Sequence, residues 1–303
     1  MKKTILLTGC NGFIGRGFIN EFGDKYEIIG IDIQKNFGES LCNKEYNFDI
    51  CNEEEMRRVF LNHKIDVVLH TAAEKSLIKC EKNKKRAYNI NYVATIKLAQ
   101  LAKENGSHFI FISSDQVFNG NKPYSKETDD VGAINYYGEL KILIERELGE
   151  INNTSICRTA LVFGDIPKEQ IEYFDSVKSE KELAVQGYIV QQTRYCLKNG
   201  IVINLPNDEF VSPTHVKLLA SQLNLVIENR ITGILHCCGN DRISRYDMGV
   251  AIANKYGLQI DYIDSSSSNN VLRPKDVSLD CRYTEKILRC NFPNFSEMLE
   301  IYM

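Results

Sequence analysis

The sequence predicts an α/β fold: a Rossmann-type, doubly wound parallel sheet with a smaller substrate-binding region. Three observations carry this expectation. Short apolar runs alternate with segments of helical period through the first half. Strands apolar on both faces belong to a parallel sheet covered by helices on both sides. The first run ends in a glycine-rich turn that opens a helix, Thr8-Gly9-Cys10-Asn11-Gly12-Phe13-Ile14-Gly15, and Asp32 ends the second run.

The elements follow in order. Lys3 to Leu7 reads as a strand stopped by Gly9, and Phe13 to Phe22 as a helix. Glu27 to Ile31 is a strand, followed by a loop rich in Asn and Lys. A helix is expected from about Glu53 to Leu61, then a strand over Asp66 to His70. One long helix runs from about Lys84 to Glu104, with Ala87, Ile90, Val93, Ala94, Leu98 and Leu101 on its apolar face. Phe109 to Ile112 is a strand ending at Ser113-Ser114, and Ile134 to Leu148 is helical. Beyond Gly164 the pattern loosens: 165–187 is polar and irregular, helical period returns at 190–199 and 214–229, and 264–270 reads as a Ser/Asn loop. The expected division is therefore a dinucleotide-binding domain over 1–164, joined by a returning segment near 211–238. A smaller, partly interleaved substrate-binding region fills 165–303.

Composition narrows the function. The 303 residues are 43% hydrophobic and 25% charged, with 19 Gly and 6 Pro, which excludes collagen, a disordered tail and a coiled-coil rod. A net charge of -3 gives no electrostatic case for nucleic acid or an anionic membrane. No apolar run approaches the roughly 18–20 residues that span a bilayer. Leu7-Thr8-Gly9-Cys10 has the outline of a lipoprotein cleavage box, but only Ile5, Leu6 and Leu7 are apolar before Thr8. A secretory signal needs about 7–15 such residues, so export is not expected. The 10 cysteines include no Cys-x-x-Cys pair, and the 5 histidines do not stand beside them at ligand spacing. Free thiols, a cytoplasmic location and no metal are expected.

The glycine loop carries the first chemistry. Gly9, Gly12 and Gly15, with Phe13 and Ile14 opening the helix, let backbone approach a pyrophosphate held at a helix N-terminus. Their spacing is G-x-x-G-x-x-G, and a tight steric turn uses glycine too. Asp32, about 20 residues on, supplies the carboxylate that accepts from the adenine ribose hydroxyls. Asp49, with Ile50 beside it, closes the third strand candidate, where a carboxylate can meet the adenine amino group. Ala72 and Ala73 are small enough to let the cofactor pass. NADH or NADPH is the expected cofactor. Asp32 repels a 2′-phosphate, while Arg16 and Lys35 are near enough to attract one. The balance predicts binding of both, with a modest preference for NADH.

Tyr137 and Lys141 stand at i and i+4, on one helix face, a strand end and a loop after Ser114. The lysine is expected to lower the phenol from about 10, making Tyr137 an acid and base near neutrality. Ser114 would then hydrogen-bond the reacting oxygen. His70 and His236 close apolar runs and read as core residues, and Lys82 to Arg86 as a solvated helix entrance. Arg273 is open between a substrate pyrophosphate and a structural salt bridge.

Taken in order, TGCNGFIG, HTAA, Asn91 in the long helix, SSD and YGELK resemble an extended short-chain dehydrogenase/reductase. Ser113 to Gly120, Asn135-Tyr136-Tyr137-Gly138 with Lys141, Arg158-Thr159 with Gly164, Ser212-Pro213-Thr214 and Arg273-Pro274 are similar to dTDP-4-dehydrorhamnose reductases. The resemblance spans nearly the whole chain, apart from an apparent insertion at 166–187. It implies reduction of the 4-keto group of a nucleotide-diphosphate 6-deoxyhexose by NADPH or NADH. It also implies Ser114, Asp115, Tyr137 and Lys141 as the active-site set, Asn91 among the cofactor-binding residues, and allows a homodimer. Three positions depart from the pattern. Gln116 replaces the reductases' usual tyrosine and the catalytic glutamate of 4,6-dehydratases. Leu161 replaces a tryptophan that contacts the sugar. Gly17 replaces an acidic residue found in members that dimerise through magnesium. Two alternatives stay open: a 4-epimerase using the same Ser, Tyr and Lys, and a non-catalytic regulatory subunit of the methionine adenosyltransferase type. Asp115 and the short chain favour the reductase over the epimerase, and the intact Ser114, Tyr137 and Lys141 argue against lost catalysis.

Overall fold

The computed structural model describes residues 2–34, 40–165, 188–268 and 270–303; Lys35 and the apparent insertion at 166–187 lie outside them. The first half contains β1 (Thr4–Thr8), α1 (Phe13–Phe22), β2 (Glu27–Asp32), β3 (Lys44–Asn47), α2 (Glu53–Asn62), β4 (Val67–His70), α3 (Leu77–Lys82), α4 (Lys84–Ala87), α5 (Ala94–Glu104), β5 (His108–Ser114), α6 (Tyr136–Gly149) and β6 (Thr154–Thr159). After it come β7 (Val162–Phe163), α7 (Ile189–Lys198), β8 (Ile203–Pro206), β9 (Phe210–Val211), β10 (Thr214–His215), α8 (Val216–Asn229), β11 (Gly233–His236), β12 (Ile243–Ser244), α9 (Arg245–Tyr256), β13 (Ile263–Ser266), α10 (Arg282–Leu288) and α11 (Phe295–Tyr302).

One seven-stranded sheet runs β11-β6-β5-β4-β1-β2-β3, and every pairing in it is parallel. Strand order reverses beside β1, where the crevice at the carboxyl ends of such a sheet takes ligands. Period two assigns the faces. Ile5, Leu7, Ile28, Leu69 and Ile110 pack with Phe18 of α1 and Leu219, Leu223 and Val226 of α8. Leu6, Ile29, Val68, Phe109 and Phe111 pack instead with Met56 and Val59 of α2 and Leu98 and Leu101 of α5. The segment 211–238 thus returns to the sheet, adding β11 at its edge and α8 against α1. At that helix contact a Cβ on Gly17 would stand 2.2 Å from Val216 Cγ2, so an acidic side chain has no room there.

Three local expectations are corrected. The long helix is interrupted: α4 gives way to a π-helical turn over Tyr88–Val93 before α5 begins. Such a turn inserts a residue and re-aims the side chains around it; here it brings Asn91 onto the loop after β4. The Ser-rich stretch is a strand in its first part, because Ile263 buries against Ile203 and Leu205 while Asp264 to Ser266 continue the pairing with β8. Context, more than propensity, decides such a strand. Finally, β3 ends at Asn47, so Asp49 lies in the turn that follows it.

Candidate active site

At the end of β1 the chain folds back on itself. Gly9 adopts φ +72°, and a Cβ on Gly15 would stand 2.2 Å from the Gly9 carbonyl oxygen. A Cβ on Gly9 would stand 2.9 Å from the Ala72 amide nitrogen. No side chain fits either position, so bare backbone faces the crevice. Gly12 caps α1 without a side-chain hydrogen bond, which leaves first-turn N–H groups for an anion. The cradle suits a dinucleotide pyrophosphate. Behind it Ile14 packs on the core, and Phe13 meets Tyr188 edge-on at 5.5 Å.

Asp32 is held at the mouth of this cradle. Its Oδ2 accepts from the Asn11 amide at 2.9 Å and its Oδ1 from the Gln34 amide at 2.8 Å. Asp49 Oδ1 accepts from the Cys51 amide at 2.9 Å, with Ile50 buried beside it. Ala72 and Ala73 follow β4, the first partly exposed and the second exposed. Asn91 is buried, with both ends of its amide on the Glu74 backbone at 2.8 and 3.0 Å, so it shapes the loop after β4. Arg16 is 6% exposed and close enough to Tyr188 for its charge to act on that phenol.

The reacting groups gather where β5 ends. Ser114 Oγ donates to Asp115 Oδ1 at 2.8 Å, and Gln116 Nε2 donates to the same oxygen at 3.2 Å. Burial raises Asp115 to about 6, against the pull of those two bonds and of the Arg245 and Arg273 charges. Asn135 caps α6 by accepting from the Gly138 amide at 2.8 Å. Its Nδ2 donates to Gln116 Oε1 at 3.0 Å and to the Leu272 carbonyl at 2.9 Å, tying both halves of the chain to the start of α6. Tyr137 is half-buried in the first turn of α6 and Lys141 is buried one turn on. Lys141 Nζ donates to the Ile112 carbonyl at 2.7 Å and stands 5.5 Å from the Tyr137 ring centroid.

The expected effect of the lysine on the phenol is not met. Burial lowers Lys141 to about 7, with Glu145 opposing, so its charge is weakly held. Burial, followed by the Asp115 charge, raises Tyr137 above its ordinary value of 10.0. Packing on this helix face takes water from both groups, and this desolvation is the largest influence on each. Glu145 also accepts from Ser113 Oγ at 2.5 Å and from Arg158 Nη2 at 2.7 Å. This buried carboxylate, one turn beyond Lys141, went unnoticed in sequence; its i, i+4 spacing from Lys141 was the available signal.

A cavity of about 350 Å³ opens in the second half of the chain, its lining including Glu209, Arg245, Ser266, Ser268, Asn270 and Arg273, and its two arginines also act on Asp115. Arg245 Nε pairs with Glu209 Oε2 at 3.0 Å, and Arg273 Nη1 approaches the same oxygen at 3.7 Å. Two guanidiniums share one carboxylate, leaving positive charge toward the cavity. Burial and the neighbouring Arg273 lower Arg245 to about 10. Arg273, 41% exposed, keeps donors free for a ligand while contributing to the ion pair. Arg245 and Glu209 carry no local motif, so only the structure brings them forward.

His70 and His236 are buried and stay neutral. His70 lies between Thr8 Oγ1 at 2.6 Å and Thr95 Oγ1 at 2.8 Å, and burial lowers it to about 3. His236 meets the Asp280 carbonyl at 3.0 Å and is likewise lowered to about 3. Among the described residues no three His, Cys, Asp or Glu side chains form a metal-holding group, and no helix is long and apolar enough to cross a membrane.

A parallel sheet in this order, a glycine cradle after β1, and Ser, Tyr and Lys at the β5 and α6 ends define an extended short-chain dehydrogenase/reductase. The chain belongs to the RmlD substrate binding domain family, whose model matches residues 1–303. It is 26% identical over 300 residues to the methionine adenosyltransferase 2 subunit beta of Rattus norvegicus, covering 94% of this chain and 83% of that protein. It is 28% identical over 259 residues to the dTDP-4-dehydrorhamnose reductase of Aggregatibacter actinomycetemcomitans, covering 82% and 77%. Among solved structures, the dTDP-4-dehydrorhamnose reductase of Bacillus anthracis str. Ames in complex with NADP shares the fold: TM-score 0.84, 22% identity, 100% of this chain and 98% of that one.

Proposed function

We propose that this chain reduces the 4-keto group of a nucleotide-diphosphate 6-deoxyhexose with NADH or NADPH. The reading is supported by the meeting of Ser114 and Asp115, at the end of β5, with Tyr137 and Lys141 in the first turns of α6, where the Arg245 and Arg273 charges also reach Asp115. A nicotinamide held by the glycine loop would supply the hydride for the carbonyl carbon. Tyr137 holds its proton at neutral pH, because burial and Asp115 keep the phenol above its ordinary value, and so it is ready to protonate the ketone oxygen. Ser114 is the second group able to hydrogen-bond that oxygen, by turning its single hydroxyl proton from Asp115 to the ketone. Lys141, anchored on Ile112, orients the phenol from one turn away. Arg245 and Arg273 offer planar forks to the diphosphate.

The likeness to the methionine adenosyltransferase subunit beta, over 94% of this chain, supports a second reading as a regulatory subunit. One experiment separates the two. The purified chain is given a panel of nucleotide 4-ketosugars with NADH or NADPH, and absorbance of the reduced nicotinamide is followed. Turnover on one of them is expected; no oxidation of either cofactor with any sugar would remove the reductase reading. An epimerase would interconvert sugars without net consumption of cofactor. We also propose a cytoplasmic location, which the free state of the cysteines supports. Since Gly17 packs on Val216 and offers no acidic ligand, a homodimer would form without magnesium at that position.

A further inference from the structure

The thiols of Cys10 and Cys42 meet over Gly30. A Cβ on Gly30 would stand 2.8 Å from the Cys10 sulfur and 2.5 Å from the Cys42 sulfur. The two sulfurs therefore fill the volume that any side chain at this point of β2 would need. Cys10 is buried within the glycine loop, whereas Cys42 is partly exposed just before β3. The proposed reduction uses neither. We propose that Cys10 and Cys42 form a reversible disulfide that weakens dinucleotide binding; the effect rests on the glycine loop being the dinucleotide site.

The oxidant is a low-molecular-weight disulfide such as oxidised glutathione. The Cys42 thiolate attacks one of its sulfurs, forming a mixed disulfide and expelling one thiolate. Cys10 then gives up its proton and attacks the Cys42 sulfur, expelling the second thiol. Two cysteine thiols are oxidised to one cystine while the small disulfide is reduced to two thiols. The order follows from the pair itself. The neighbouring Cys10 thiol holds Cys42 below the usual thiol range, and the Cys42 thiol together with burial holds Cys10 above it. Cys42 is also the member that solvent reaches.

Bond formation draws the sulfurs to about 2 Å, well inside the contact distance of two thiols. Cys10 cannot follow freely. Its amide donates to the Ile31 carbonyl at 3.4 Å, and its Cα lies 2.9 Å from where a Cβ of Gly15 would stand. The displacement is therefore shared between the segment at Cys42 and the loop from Gly9 to Gly12, whose backbone faces the pyrophosphate. Cys157 beside Cys237, and Cys238 beside Cys281, are neighbouring thiol pairs too, but all four are buried and serve as internal controls.

The test uses the full chain in glutathione buffers of increasing oxidised fraction, with differential alkylation, peptide mapping and an NADH fluorescence titration at each step. A Cys10–Cys42 cross-linked peptide is expected, together with a rise in the NADH Kd of about tenfold or more that dithiothreitol reverses. Cys42→Ser should bind NADH like the reduced wild type and ignore the oxidant. The proposal is overturned by no such peptide, by the peptide with an unchanged Kd, or by Cys42→Ser responding like wild type. A reduced wild type that binds neither dinucleotide also overturns it, and the peptide map distinguishes that failure from a failure of the thiol chemistry.

Discussion

The ammonium of Lys141 rests on the carbonyl of Ile112 at 2.7 Å, two residues before Ser114 on the same strand. The strand that delivers the serine therefore also fixes the helix residue behind Tyr137. One contact sets the spacing of all three groups, so a shift of α6 along β5 disturbs them together.

Removing the phenol hydroxyl is the first check on the chemistry. Tyr137→Phe should lower turnover by about 100-fold or more, as loss of a general acid does, with NADH affinity nearly unchanged. Stopped-flow or steady-state rates beside a fluorescence titration decide it. Near-normal turnover would remove Tyr137 from the proton-donating role.

The buried charges predict two opposite pH windows for stability. Lys141 has a folded value near 7, below the ordinary 10.5, so between these pH values the unfolded chain binds more protons. Stability relative to Lys141→Met should then rise with pH across that window, at most by about 1.4 kcal/mol per pH unit. Asp115 is raised from 3.8 to about 6, so the folded chain binds more protons between those values. Stability relative to Asp115→Asn should fall as pH rises through that range. Urea melts of each pair across pH 4–10 read both slopes, and parallel curves would contradict the assignment.

Asp32 should control cofactor choice. Wild type is expected to bind both cofactors with a modest preference for NADH, and Asp32→Ala to shift the ratio of dissociation constants toward NADPH. Overall affinity should also drop, because the Asn11 and Gln34 amides lose their acceptor. Wild type binding NADPH at least roughly tenfold more tightly, about 1.4 kcal/mol, would mean that Asp32 is not the ribose ligand. An unmoved ratio in the variant would mean the same.

The cavity arginines should act on substrate binding. Arg273→Ala is expected to raise the KM for the sugar nucleotide by about tenfold to 100-fold, the worth of a charge-assisted hydrogen bond, with kcat and Tm little changed. Arg245→Ala should raise KM and also lower Tm, since it leaves Glu209 buried without its 3.0 Å partner. A KM for Arg273→Ala equal to wild type would leave Arg273 a structural ion pair alone.

Much of this protein was written locally in its sequence. The alternation of apolar runs and helical segments announced the parallel sheet, because strands covered on both faces must be apolar throughout. Gly9, Gly12, Gly15 and Asp32 fall within one strand–helix–strand unit, and Tyr137 and Lys141 within one helical turn. Chain connectivity holds each set together, so spacing reveals it. Tertiary structure alone decided what depends on meetings across the chain: Glu209 between Arg245 and Arg273, Asn135 on Leu272, and the Cys10 and Cys42 sulfurs over Gly30. It also reversed the expected effect on the Tyr137 phenol. Spacing of i, i+4 told that a lysine was near, but not how far packing takes the two groups out of water. Burial arises from the packing of the whole chain, and losing water costs a charge more than one neighbouring group returns.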